Sequence, residues 1–346
     1  MSGHAALVEP LTTPPQWYSR QDSGGLRLTY APPRTARRVR HRAGWVATGL
    51  LLDRLLGEPP TQVHPVVGFA SVMARVERLT YADGRAAGAA YAGAGLALGL
   101  LAGRFTPLGP AVAVAVAGRM LRDAGDQVAD PLLRGDLDAA RAALPALVGR
   151  DPTQLDASGI SAAAIESLAE NTVDAVVAPV VWALLAGAPG VIAHRAANTM
   201  DAMVGHRSVR YARFGTAAAR LDDAMAWVPA RLTAVLVAGV RPHRARAVAR
   251  CVRRDAPAHP SPNAGVAEAA AAAALGVELG GPLTYAYADG SDARVEQRPR
   301  LGEGPRPTPG DVARARRLLD HVELALVAGL VGVALGSAVG RGRVHP

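Results

Sequence analysis

Four stretches of this chain run without a single charged side chain: Ala86–Gly103, Phe105–Gly118, Ala175–Ala193 and Leu324–Gly340. A helix rises about 1.5 Å per residue, so ~18 residues span roughly 27 Å, close to the ~30 Å core of a bilayer. Two more apolar runs are interrupted, Gly44–Leu56 by Asp53 and Ala224–Val240 by Arg231. A charge at mid-bilayer costs at least ~2.5–3.5 kcal/mol, so those two read as half-embedded or protein-packed helices. Ala-rich runs of this length also form soluble helical cores. Arginine gathered beside the runs points instead to membrane-adjacent loops. The apolar residues are mostly Ala, Val, Leu and Gly, and aromatics make up only 4% of the chain. Strand formers are therefore scarce, and the expected fold is all-α. It is a polytopic membrane helical bundle with re-entrant or hairpin helices and polar active-site loops.

All 38 basic residues are Arg; there is no Lys. That excludes a Schiff-base lysine, a lysyl-nucleotide intermediate and a lysine-bearing P-loop. Phosphate chemistry here must rest on Arg, backbone amides or a metal ion. The net charge of +9 would suit nucleic acid, yet no aromatic-interleaved basic ribbon accompanies it, so no nucleic-acid partner is expected. The lone Cys251 excludes an internal disulfide and a Cys-based zinc cluster. Residues 1–43 are Pro-rich, lack a signal-peptide core and end in RTARRVRHR. They read as a disordered, positive, inward-facing extension preceding a membrane domain over 44–346.

The run 175–193 breaks at Gly187-Ala188-Pro189-Gly190, a helix stop followed by a restart. A tight helical hairpin is predicted there. It would return the flanking polar residues to one side, where a straight span would hold them about 28 Å apart. Asp289–Asp311 has the Pro, Gly and charge density of a loop, and Asp136–Asp156 reads as a short helix plus connector. An echo links ENTVDAVV and ANTMDAMV, whose Asn-Thr-x-Asp-Ala cores start at Asn171 and Asn198. It is either chance in an Ala-rich chain or two facing helices offering similar groups to one ligand.

Asn occurs only three times, at Asn171, Asn198 and Asn263, each in a polar, motif-like stretch. Glu166, Glu170 and Asp174 follow i, i+4, i+8 spacing and so share a helix face. Like charges there suit a bound Mg²⁺; the alternative is a solvated acidic face. Beyond the hairpin come Asn198, Asp201, Arg207, Arg210, Tyr211, Arg220, Asp222, Asp223 and Arg231. Arg beside Asp pairs serves phosphate-plus-metal chemistry, although some of these Arg residues also fit a positive-inside belt. Two His-Pro pairs, His64-Pro65 and His259-Pro260, place imidazoles in rigid loops, as structural hydrogen-bonders or as bases.

Four segments together carry a resemblance: DRLLGEPPTQVHPVVGFA (53–70), ESLAENTVDAVVAPVVWALLAGAPG (166–190), RAANTMDAMVGHRSVRYARFGTAAARLDDAMAWVPARLTA (195–234) and DAPAHPSPNAGVAEAAAAAALGVELGGP (255–282). In order and spacing they resemble the adenosylcobinamide-phosphate synthase family of cobalamin biosynthesis, over about residues 45 to 340. The chain departs from the family's pattern in residues 1–43, at His206 and at Val173.

The resemblance implies a multi-pass protein of the cytoplasmic membrane. It implies ATP-dependent amide formation between adenosylcobyric acid, a corrinoid, and 1-amino-2-propanol phosphate or a free amino alcohol. ATP would activate the carboxylate as an acyl phosphate, which the amine then attacks. Partners would be those substrates, the bilayer and other late cobalamin-biosynthesis membrane enzymes.

Within that reading Glu170, Asp174 and Asp201 would hold Mg²⁺. Arg207, Arg210, Tyr211, Arg220 and Arg231 would bind phosphate; Asn171, Asn198, Ser261 and Asn263 would bind corrinoid amides or ATP. The catalytic candidates are His64, Glu166, Asp222, Asp223 and His259: His64 or His259 would take the proton from the attacking amine, and Asp222 and Asp223 would serve either the metal or the ammonium group. Two rivals are a membrane phosphoalcohol transferase and a non-catalytic sensor on the same scaffold.

Overall fold

The computed structural model describes residues 34–60, 62, 64–149, 151–206, 208–285 and 294–336. Helix dominates it, as the composition requires. Among the described residues four helices are long and apolar enough to cross a membrane: α3 (Arg85–Phe105), the continuous Ala157–Ala186, α10 (Thr216–Val240) and α13 (Pro309–Leu335). The protein is thus a helical membrane protein. In Ala157–Ala186 the most apolar stretch is 67% buried in protein, against 33%, 28% and 33% in the other three. That helix is the axis of the bundle, and the others leave most of their apolar surface for lipid.

Two expected spans change. Phe105–Gly118 is no span: only α4 (Leu108–Ala115) is helical, and the chain turns extended at Val116 before α5 (Gly118–Leu133). Ala224–Val240, read as half-embedded because of Arg231, belongs to the unbroken α10. Arg231 lies over the Trp227 ring and donates to Trp227 O and Asn263 Oδ1, so its charge is shared with polar partners. The helix α1 (Arg34–Leu56) begins within the segment read as an extension, so the Arg cluster 34–42 is helical. Residues 1–33 lie outside the described residues.

The central helix is not uniform. α7 (Ala157–Thr172) passes into a π-helical segment, Val173–Val177, and then into α8 (Ala178–Ala186). Pro179 explains the change. It has no N–H to give the carbonyl of Ala175, four residues back. That freed carbonyl accepts instead from Ala117 N at 3.0 Å, in the break between α4 and α5, and Ala178 N reaches back five residues to Val173 O. The same bond accounts for the interruption of the Phe105–Gly118 run.

The predicted hairpin is present. α8 stops at Gly187 (φ +71°, ψ −156°), a conformation open only to glycine, and α9 (Ala188–Val204) starts immediately. Arg42 of α1 donates to the carbonyls of Leu184 and Leu185, which the end of α8 would otherwise leave unpaired. α9 lies along a seam of small residues on α3. A Cβ on Gly95 would fall 2.2 Å from Met200 Sδ, and one on Gly103 2.3 Å from Pro189 Cα. Close helix approach through small residues is the packing available where lipid supplies no hydrophobic drive.

Asp53, which interrupts the first apolar run, is buried and paired. Its Oδ2 accepts from Arg119 N at the start of α5, beside the buried Arg122–Glu323 ion pair, while Arg54 reaches Asp320 at 3.0 Å. This network ties α1, α5 and α13 together. Breaking such a buried pair costs roughly 3–5 kcal/mol.

One part of the expected 289–311 loop is a strand. β2 (Arg294–Leu301) pairs antiparallel with β1 (Leu279–Tyr285), next to α11 (Ala245–Asp255) and α12 (Ala264–Leu275). Asp255 fastens this layer: Arg254, Cys251 Sγ and Gly302 N all donate to it. The Arg254 hydrogen bond foremost holds its carboxyl down at about 2, against an ordinary 3.8. A carboxylate depressed on folding stabilises above its unfolded value, and that contribution is lost as pH falls through about 2. Asp255→Asn should therefore lower the thermal midpoint of the solubilised protein by a few degrees at pH 7, with the gap to wild type closing between pH 4 and 2.

Candidate active site

The hairpin decides what meets what. Asn198, one arm of the sequence echo, donates its amide to Asp174 Oδ2 of the other arm at 3.1 Å, and Asp222 of α10 lies beside the pair. Asp222 stands close enough to Asp174, Asp201 and Asp223 to feel their charges, and its buried Oδ1 has no hydrogen-bond partner among the described residues. Glu170, Asp174, Asp222, Asp223, Ser261 and Asn263 line one cleft between the π segment, α10 and the turn before α12. Asn263 closes it: its amide donates to Asp223 O (2.8 Å) and Oδ1 (3.3 Å), while its Oδ1 accepts from Arg231 at 2.9 Å. Asp201, on α9, is pushed up to about 6, first by burial and then by the charges of Asp223 and Glu170.

The two His-Pro loops are built alike. His64 Nδ1 accepts from Val66 N at 3.2 Å, and His259 Nδ1 from Ser261 N at 3.1 Å. At His64, with Nδ1 accepting, the proton of the neutral ring sits on Nε2. Each Nε2 faces a glutamate at 3.6 Å: Glu58 for His64 and Glu268 for His259. His259 also contacts Arg298 at 3.3 Å.

Other sequence-predicted residues are placed elsewhere. Glu166 lies eight residues before Asp174, roughly 12 Å along the axis, and accepts from Gly280 N of β1 at 2.8 Å. Its contact is with the sheet, not with the cleft. Arg210 and Tyr211 both bind Glu77 of α2 (Pro65–Thr80), at 3.0 and 2.8 Å, and Arg210 stacks on Tyr81. Their charge partner is therefore Glu77 and not the acidic cluster. Asn171 donates to Ser167 of its own helix, and Ser261 Oγ accepts from Asn263 N and Ala264 N at the start of α12. Arg220 is exposed on α10, and Arg207 lies outside the described residues. Among the described residues no three of His, Cys, Asp and Glu converge as a ready-made metal site. Glu170, Asp174 and Asp201 are thus near one another without forming a three-ligand chelate.

Three residues escaped the sequence reading. Glu58 lies inside the first quoted segment, 53–70, and pairs with His64. Arg195 of α9 feels both Glu58 and Asp174. His194 beside it is fully buried, and neither ring nitrogen has a partner among the described residues. Arg195 precedes Asn198 by three residues and so shares its helix face, a signal that was available.

Fold and site together define a membrane-embedded helical protein with an acidic, amide-lined cleft built from three distant segments. The family model described as CobD/Cbib protein matches residues 46–319, and this chain belongs to that family. The relative named cobalamin biosynthesis protein CobD from Mycobacterium tuberculosis H37Rv is 47% identical over 288 residues, covering 79% of this chain and 90% of its own. Those of the same name from Rhodobacter capsulatus and Chromobacterium violaceum are each 42% identical, covering 84% and 86% of this chain and 98% and 96% of theirs. No solved structure matches the chain.

Replacing Pro179 by Ala supplies the missing N–H to Ala175 and competes with the Ala117 bond. Turnover should fall by roughly 100-fold, as for a ~1 Å misplacement of a catalytic group. The thermal midpoint should hold or rise, because the helix gains a bond. Turnover within twofold of wild type would show that the π segment does not set the site.

Proposed function

We propose that this protein joins an amino-alcohol phosphate to a carboxylate of adenosylcobyric acid as an amide, with ATP as the energy source, in the cytoplasmic membrane. A role in cobalamin biosynthesis follows from the family. The observation that carries the finer reading is the Asn198–Asp174 bond, which gathers carboxylates from the family-like segments 166–190 and 195–234 into one cleft. An ammonium needs such carboxylates for binding, and a phosphate brought near them needs a cation.

Mg²⁺ fits this donor set. It commonly takes one or two carboxylates, several waters and substrate phosphates, so a three-ligand protein site is not required. Asp174, with Glu170 or Asp201, would hold it, and when bound it would neutralise phosphate charge. Around it the chain's own groups have separate tasks. Asp222, with its unpartnered Oδ1, receives the ammonium. Asn198 keeps Asp174 oriented, and Asn263 keeps Asp223 in place. His64, with its Nδ1 held by Val66 N, is placed to pass a proton to Glu58. The overall balance is carboxylate plus amine plus ATP giving amide, ADP and phosphate.

Expression in a corrinoid auxotroph lacking this step should restore growth on cobyric acid in a strain that already grows on cobinamide. Asp174→Asn should abolish rescue and lower turnover by at least ~100-fold, the scale of losing one electrostatic group. Product analysis settles the rival chemistry. ADP and phosphate fit the synthase, whereas a nucleoside monophosphate would mean a phosphoalcohol transferase. Rescue failing despite verified membrane expression would end the synthase reading.

A further inference from the structure

Next to the acidic cleft, α2, α3, α4 and α9 enclose a second cavity of about 240 Å³. Phe69, Leu98, Val114 and Ile192 contribute to an apolar wall, and Arg195 is the one charged residue in the lining. Among the described residues Arg195 forms no ion pair. Its guanidinium makes a single long contact, Nη1 to Asn198 Oδ1 at 3.5 Å, and its Nε is sealed from solvent without a partner. Glu58 and Asp174 act on it from a distance, and neither lies within ion-pair reach. Arg195 is half-buried, and a cation drawn partly out of water without a paired anion is costly to hold. Arg122, buried between α5 and α13, is by contrast paired with Glu323 and Asp320. Arg195 lines the cavity and is linked to the cleft through Asn198.

Arg195 and Asp174 are separated by one amide, Asn198, which accepts from the first and donates to the second. A positive and a negative group on either side of a short bridge, beside an apolar wall, match a small zwitterion. An amino-alcohol phosphate is such a molecule, with an ammonium and a phosphate at the two ends of a short aliphatic chain.

We propose that Arg195 binds the phosphate of the amino-alcohol phosphate, with the carbon chain against the apolar wall and the ammonium turned toward Asp174 and Asp222. This rests on the synthase reading. It makes Arg195 the residue that distinguishes a phosphorylated from a free amino alcohol.

The test uses the full chain in detergent or nanodiscs, with aminopropanol phosphate and free aminopropanol as alternative substrates. Arg195→Gln should reduce the kcat/KM preference for the phosphorylated substrate at least ~tenfold, the usual scale of a charge-assisted hydrogen bond. The loss should appear in KM, and Arg195→Lys should recover part of it. An equal loss on both substrates would overturn the assignment and leave Arg195 to the corrinoid carboxylate or to folding.

If Arg195→Gln does not fold, Val114→Phe carries the test by narrowing the cavity with Arg195 intact. KM for both amino alcohols should then rise several-fold, and an unchanged KM refutes the site. Calorimetric titration with aminopropanol phosphate alone separates this inference from the synthase reading. Should wild type form no amide, binding that Arg195→Gln weakens at least ~tenfold would still support the site. Absence of wild-type binding would overturn it.

Discussion

A proline cannot donate the hydrogen bond that a helix interior requires, and at Pro179 the consequences reach across the bundle. The carbonyl it leaves free, on Ala175, is taken up by Ala117 N, so a break in one apolar run answers a defect in another. The backbone widens into a π turn at the place where Asp174 must face inward. About two helical turns beyond the defect the chain still has to reverse, and Gly187 lets it do so with no loop. α9 then returns along α8 and presents Asn198 to Asp174. The cleft depends on the defect and the reversal together.

The bundle treats its charges in two ways. Arg122, Glu323, Arg54 and Asp320 neutralise one another where α1, α5 and α13 meet, which is how ionisable groups survive away from water. Around the hairpin the arrangement is different. Carboxylates face carboxylates, Asp222 Oδ1 lacks a hydrogen bond, and Arg195 lacks an ion pair. The first set holds helices together. The second is complementary to a ligand carrying both signs of charge, and this is the physical content that family membership alone does not supply.

Some of the site was legible from residues alone. The three Asn positions include two, Asn198 and Asn263, that orient cleft carboxylates, and the echo of Asn-Thr-x-Asp-Ala proves to be one arm facing the other. Half of that symmetry is realised, since Asn171 turns back to Ser167. The i, i+4, i+8 row was misleading at its first member. A shared helix face does not mean a shared site, because two turns of rise carry Glu166 to the β1 backbone. Arg210 and Tyr211 looked like phosphate ligands by composition, and Glu77, 133 and 134 residues away in sequence, claims them. Nothing local could have shown that.

The sequence by itself determined that the chain would be helical and membrane-embedded, because long uncharged Ala-, Leu- and Gly-rich runs have few other stable forms. It also determined the hairpin, since Gly and Pro act on their own backbone whatever surrounds them. Only the tertiary structure decided which charges are mutually satisfied and which are left for a ligand. Pairing depends on distances between helices, and those follow from small-residue seams such as Gly95 and Gly103 against α9. Arg195 illustrates the difference: its place in the sequence was plain, but its lack of an ion pair is a property of the packed bundle.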